Sequence, residues 1–130
     1  MREAIAKNEY YEMEVDKKKN RSYSKYMGYW QSVDAVPNYL EDIKATIQWL
    51  NPGFTTLIDM REFKIPHPEV MNLMLEAQAL GDNAGFSKSA IVVLAPLEKL
   101  ATKRIVKEGN VKEKSREFNS VEEAEAWLDV

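Results

Sequence analysis

The stretch Ser89–Leu94, SAIVVL, carries no charge and none of the polar–apolar alternation of a strand with one wet face. A strand of this kind is central and covered on both sides, so the rest of the chain has to supply layers for it. Phe54–Met60, FTTLIDM, is β-branched and apolar and reads as a second buried strand. Around these two segments the hydrophobic period changes to that of helices. Val36, Leu40, Ile43, Ile47 and Leu50 recur at spacings of four, three, four and three, with Asp34 placed to cap the helix and Pro37 in its first turn. Asn51-Pro52-Gly53 stops it.

A second helix opens at His67-Pro68-Glu69, with proline at its first position, and runs to about Leu80 before Gly81 or Gly85. Leu97, Leu100, Ala101 and Ile105 mark a third, ended by Gly109-Asn110. A short polar strand is expected near Lys114–Phe118. The capping box Ser120-x-x-Glu123 then leads into a fourth helix carrying Val121, Ala124, Trp127 and Leu128. Ahead of all these, Tyr11, Met13 and Val15 alternate with Glu12 and Glu14, and a polar turn at Asp16–Asn20 joins them to a tyrosine-rich strand, Ser22–Trp30. The predicted order is β-hairpin, α, β, α, β, α, β, α. This is an α/β domain with a mostly parallel five-stranded sheet, the hairpin antiparallel at its edge, and four helices. Residues 1–9 are expected as a loose lead and 10–130 as a single domain.

At 130 residues the chain has room for one domain, and 45% hydrophobic with 30% charged residues is the balance of a globular protein. No cysteine is present, which removes disulfides, thiol catalysis and thiolate metal sites. A lone histidine, His67, cannot build a histidine metal cluster, and the five glycines match neither a dinucleotide fingerprint nor a phosphate-binding loop. No metal and no cofactor is implied. The longest apolar run, Ala90–Ala95, falls short of the ~20 residues of a membrane helix, and the first ten residues lack the apolar stretch of a signal peptide, so the expectation is a cytoplasmic protein.

Asp59 is the carboxylate that draws attention. It ends an apolar strand, where α/β folds form their functional crevice, and Arg61 is at hand as a donor. The residue is either site-forming or ties down its own loop. His67 reads first as a helix-start residue beside two prolines, and Glu69 as a partner of the helix dipole. Lys99, Lys103 and Lys107 follow one helix face within a run that continues through Arg104, Lys112, Lys114 and Arg116; without interleaved aromatics it reads as a solvated face rather than a nucleic-acid surface. Net charge −3 gives no pull toward nucleic acid either. Tyr26, Tyr29 and Trp30, in the aromatic hairpin, are the residues expected at a contact surface.

DKKKNRSYSKYMGYW, FTTLIDMREF, AIVVLAP and FNSVEEAEAWL together resemble the SpoIIAA-like group of STAS-type domains, which shares its description with the Sec14 lipid-transfer fold. The resemblance spans about residues 10–130. It implies successive β–α turns with helices chiefly on one side of the sheet, and a role in protein–protein regulation rather than catalysis. Bacterial anti-sigma-factor antagonists of this kind carry a phosphorylated serine in the loop and first helical turn after the strand equivalent to 54–60. Here that region reads MREFKIPHPEV, with no serine or threonine between Thr56 and Ser87, so the phosphoswitch has no residue to reside on.

The expectation is therefore a non-catalytic regulatory or interaction domain that docks an unknown protein partner around Asp59, Arg61, His67 and Glu69. The alternative is a protein that binds a small apolar or lipid-like ligand. A homodimer is expected on the sheet side that the helices leave bare, with Tyr26 or Trp30 near the contact.

Overall fold

A computed structural model describes residues 2–130. Six strands, β1 (Arg2–Lys7), β2 (Tyr11–Asp16), β3 (Arg21–Gly28), β4 (Thr55–Phe63), β5 (Lys88–Val92) and β6 (Ser115–Phe118), form one sheet in sequential order. The first three are antiparallel and the last four run parallel from β3 onward. Helices α1 (Tyr39–Gln48), α2 (Pro68–Asn83) and α3 (Pro96–Glu108) connect the parallel strands, and α4 (Val121–Leu128) ends the chain.

Sequential strand order explains the layering. Each crossover moves one strand in the same direction, and right-handed crossovers then place all three connecting helices on one face. That face holds the main core, where Tyr11, Met13, Tyr26, Met60 and Ile91 of the strands, with Val93 just past β5, meet Tyr39, Val70, Met74 and Val106 of the helices. Helix α4 packs on the opposite face, its Ala124 and Leu128 against Tyr23, Leu57, Ala90 and Val92. Its start follows the capping box, with Ser120 Oγ accepting from the Glu123 N–H at 3.2 Å.

The structure corrects the sequence reading in three places. The sheet has six strands, not five: residues 2–7, expected as a loose lead, pair antiparallel with β2 as the edge strand β1. Their alternation is too weak to read because only Ile5 and Ala6 reach the core. Helix α1 starts at Tyr39 rather than at Asp34, since Pro37 disfavours helical backbone at Val36, and Val33–Ala35 closes as a separate 3-10 turn.

The third correction concerns the aromatic hairpin. Tyr26 and Trp30 lie inside the subunit, at 4% and 0% exposure, packed edge-on with Tyr11, Tyr39 and Phe63 at centroid distances of 5.1–5.9 Å. Trp30 Nε1 donates to the carbonyls of Met27 (3.1 Å) and Tyr10 (3.2 Å), and the Tyr26 and Tyr39 hydroxyls share a 2.7 Å hydrogen bond. Burial pushes the Tyr26 phenol up to about 12. The aromatics satisfied one another, so a contact surface keeps only Tyr29, which is exposed. The sheet side opposite the three helices is not bare either. Helix α4 covers its β4–β6 half, and the rest carries the ion pairs Arg2–Glu14 (3.3 Å) and Lys25–Glu62 (2.8 Å).

Candidate functional site

Strand β4 outruns its neighbour. Asp59 is its last residue paired with β5, opposite Val92, while Met60–Phe63 continue beside β3 alone past an irregularity in register. The projecting end carries the exposed Arg61 and Glu62. Asp59 shares a face with Leu57, so its side chain lies on the α4 side of the sheet. There it is held by its second neighbour: Arg61 donates from its backbone N–H (3.1 Å) and Nε (2.9 Å) to Oδ1, and from Nη2 (2.8 Å) to Oδ2. Burial acts to raise the Asp59 pKa, but the side-chain and backbone hydrogen bonds from Arg61 outweigh it and hold the carboxyl below its ordinary value. Asp59 is thus kept as a carboxylate that fixes the Arg61 guanidinium at the strand end.

His67 and Glu69 sit elsewhere. His67 caps α2, its Nδ1 accepting the Glu69 N–H at 3.3 Å, and both side chains are exposed. Since α2 packs on the three-helix face, the four residues named from sequence form two local pairs on opposite sides of the sheet. No hydrogen bond or ion pair among the described residues joins one pair to the other.

Sequence reasoning missed three exposed leucines just past the C-terminal end of β5. Leu97 and Leu100 mark the third helix in the sequence, but Thr102 and Val106 are its buried residues. Leu94, Leu97 and Leu100 are 51%, 65% and 64% exposed. They follow the C-terminal end of β5, and the α3 turn that bears them touches the loop before α2 through Ile65 N–H to Glu98 Oε1 (3.4 Å). The signal was there to read: Thr102 and Val106, spaced by four, place the buried face away from both leucines.

Between the sheet and α1–α3 lies a cavity of about 120 Å³. Its sheet side mixes the hydroxyls of Ser22, Ser24, Thr56 and Ser89, with Thr56 donating to Ser89 at 3.0 Å, with apolar Ile58 and Met60; its helix side is mostly apolar, with Ile43, Ile47 and Leu50, but includes Thr46 and Thr102. Among the described residues no group of three or more histidine, aspartate or glutamate side chains is placed to hold a metal, and no helix is long and apolar enough to cross a membrane.

The fold matches solved structures over nearly all of the chain. An uncharacterised protein of the DUF3478 family with a SpoIIAA-like fold, from Shewanella loihica, superposes with a TM-score of 0.67 at 17% identity, covering 95% of this chain and 97% of the other. The chain has the SpoIIAA-like fold. An anti-sigma factor antagonist from Mycobacterium paratuberculosis is also similar, with a TM-score of 0.57, 17% identity, and coverage of 96% and 99%. No protein-family model matches the sequence, and no curated protein does. The SpoIIAA-like domain here thus departs from these structural neighbours at most positions while superposing over nearly the full length of both.

Proposed function

We propose that this SpoIIAA-like domain is a non-catalytic regulatory module that docks a protein partner at the C-terminal end of its parallel strands. The observation that carries this reading is the exposure of Leu94, Leu97 and Leu100, all three just past the C-terminal end of β5. Exposed apolar patches of that kind are characteristic of interaction sites, and in open α/β sheets the strand ends are where partners and ligands meet the fold. Arg61, fixed by Asp59, and the exposed His67 and Glu69 at the start of α2 supply charged and polar neighbours at the same end of the sheet. One structural neighbour is an anti-sigma factor antagonist, which supports a partner-binding role. The Asp59–Arg61 clamp also speaks against catalysis: a carboxyl held ionised is unsuited to act as a general acid near neutral pH. With no serine or threonine between Thr56 and Ser87, control of docking rests on something other than a phosphoserine in that loop.

The experiment compares native co-purification from the protein's own cells for the intact chain and for Leu97→Glu/Leu100→Glu, with folding checked by circular dichroism. A stoichiometric partner retained by the intact chain and by a Trp49→Glu control, and lost by the leucine variant, is the expected result. The same partners on both proteins would remove the proposed surface.

The cavity supports a second reading in part. A chamber of about 120 Å³ with hydroxyls on one wall suits a molecule of ring size that is apolar with one polar end. Pockets for larger ligands run to ~300–1,000 Å³, so a lipid chain is not the ligand this cavity favours. Saturable binding of small aromatic alcohols in isothermal titration would support it, and no saturable binding would remove it.

A further inference from the structure

No charged side chain lines the chamber between the sheet and α1–α3, and most of its polar groups already have partners. Thr56 donates to Ser89 at 3.0 Å, and the Tyr26 and Tyr39 hydroxyls share their 2.7 Å bond. Thr46 and Thr102 donate back to the carbonyls of Asp42 (2.8 Å) and Glu98 (2.9 Å) on their own helices. The Gln78 carboxamide donates across to the Ile105 carbonyl at 3.1 Å. Two hydroxyls are left over, those of Ser22 and Ser24 on β3.

Both serines face the chamber, since they alternate with Tyr23, which packs under α4, and share a face with Tyr26. Neither side chain makes a hydrogen bond among the described residues, although Ser22 is only 6% exposed. Neither hydroxyl is sealed off. The one unpartnered side-chain nitrogen or oxygen closed to a molecule the size of water is Glu117 Oε2, away on β6. The two serines therefore open into the chamber with their donors and lone pairs unused, which costs stability unless something there meets them.

Their spacing decides what can meet both. Successive residues on one face of a strand stand about 6.5 Å apart. A single ligand atom, held about 2.8 Å from each hydroxyl, does not reach across that gap. Two polar atoms about 2.2 Å apart, one accepting and one donating, do. An ion would lose its hydration in the chamber without a counter-charge, so the group is neutral. The walls around the serines are apolar, with Ile58 and Ile91 from the sheet and Ile43 and Ile47 from α1.

We propose that the chamber binds a neutral primary carboxamide carried on a single ring. Its carbonyl oxygen accepts from one serine, its N–H donates to the Oγ of the other, and its ring lies among the isoleucines. This rests on the second reading above, that the chamber takes a ring-sized molecule, and names the polar group.

Isothermal titration of the full chain with benzamide, benzyl alcohol and benzoate, which share a ring and differ in the polar group, tests the assignment. Saturable binding of benzamide is expected, about three- to tenfold tighter than benzyl alcohol for one extra neutral hydrogen bond, with no saturable binding of benzoate. Ser22→Ala/Ser24→Ala should bring benzamide level with benzyl alcohol. Ser24→Ala alone, at the less buried of the two positions, should weaken benzamide in the same direction while leaving the thermal midpoint of the free protein unchanged, and it decides the matter should the double variant fold poorly. Benzamide no tighter than benzyl alcohol overturns the carboxamide while leaving the chamber a site for ring-sized molecules. No saturable binding of either compound up to about 20 mM overturns it together with the ring-ligand reading, the chamber then holding water only. Benzoate binding as tightly as benzamide, or serine variants that bind benzamide as the parent does, overturns it as well.

Discussion

Helix α4 is fastened to the sheet by one charge cluster, and removing Glu125 tests how much that cluster contributes. Arg21 on β3 is 3% exposed. Its Nη1 meets Glu125 and, at 2.8 Å, Asp129, while its Nε donates to Thr55 Oγ1 at 2.8 Å. The Tyr23 hydroxyl donates to the other Glu125 oxygen. Glu125→Ala leaves a buried guanidinium and a largely buried phenol short of their main acceptor. Stripping a buried pair of one partner costs about 3–5 kcal/mol. Asp129 and Thr55 remain as acceptors, so about 2–3 kcal/mol is the expected loss here. For a domain of this size that lowers the thermal midpoint by roughly 8–12 °C. Asp129→Ala should cost less than Glu125→Ala, since that carboxylate is half exposed. Urea unfolding with an unchanged m-value gives the free energies, and a double-mutant cycle with Arg21→Met isolates the pairwise coupling. A Glu125→Ala protein within about 0.5 kcal/mol of the parent would refute the argument that this cluster holds α4.

Asp59→Asn should destabilise by about 1 kcal/mol, because Arg61 is exposed and solvent screens the pair. The folded Asp59 pKa is depressed below the ordinary 3.8, so its contribution is present above that value and is lost as pH falls through the folded one; the gap between parent and variant should close in acid stability curves below about pH 4. His67→Ala removes the cap of α2 and should cost about 1 kcal/mol by chemical denaturation, with most of it restored in His67→Asn. Trp30→Ala should cost about 3–5 kcal/mol in the same assay, while Tyr29→Ala is close to neutral. With the tyrosines buried and the opposite face covered by α4 and ion pairs, sedimentation of the intact chain should give one species of 15.0 kDa; a dimer lost on Tyr29→Ala would restore the tyrosine-rich strand as a contact.

The order of helices and strands from residue 11 onward was legible because burial imposed clear periods on it. Ala90–Val93 lies between two layers, and the lack of polar alternation there says so directly. What failed were segments where a second influence outweighs the period. β1 is an edge strand whose stability comes from backbone pairing with β2, and backbone pairing leaves no mark in side-chain type. Val36 and Leu40 keep a helical spacing, yet the backbone constraint of Pro37 wins and delays α1 to Tyr39. The tyrosines of β3 misled for a related reason. A hydroxyl on an aromatic ring looks like a surface group until another hydroxyl or a carbonyl is found within the core to receive it, as Tyr39 is for Tyr26.

The site was legible only where it was local. Asp59 and Arg61 are two residues apart on one strand end, so their pairing could be inferred from sequence, and it forms. The same holds for His67 and Glu69, whose relation is that of a helix cap. Whether the two pairs meet depends on which face each side chain takes, and the answer turns on α2 lying opposite α4, a tertiary fact with no local signal. The lysines reverse the case. Their spacing of four on α3 was visible and read as solvated, because a stripe of cations says nothing about what faces it. Only the fold brings Glu117, ten residues beyond Lys107 and on a different element, into one cleft with Lys103 and Lys107.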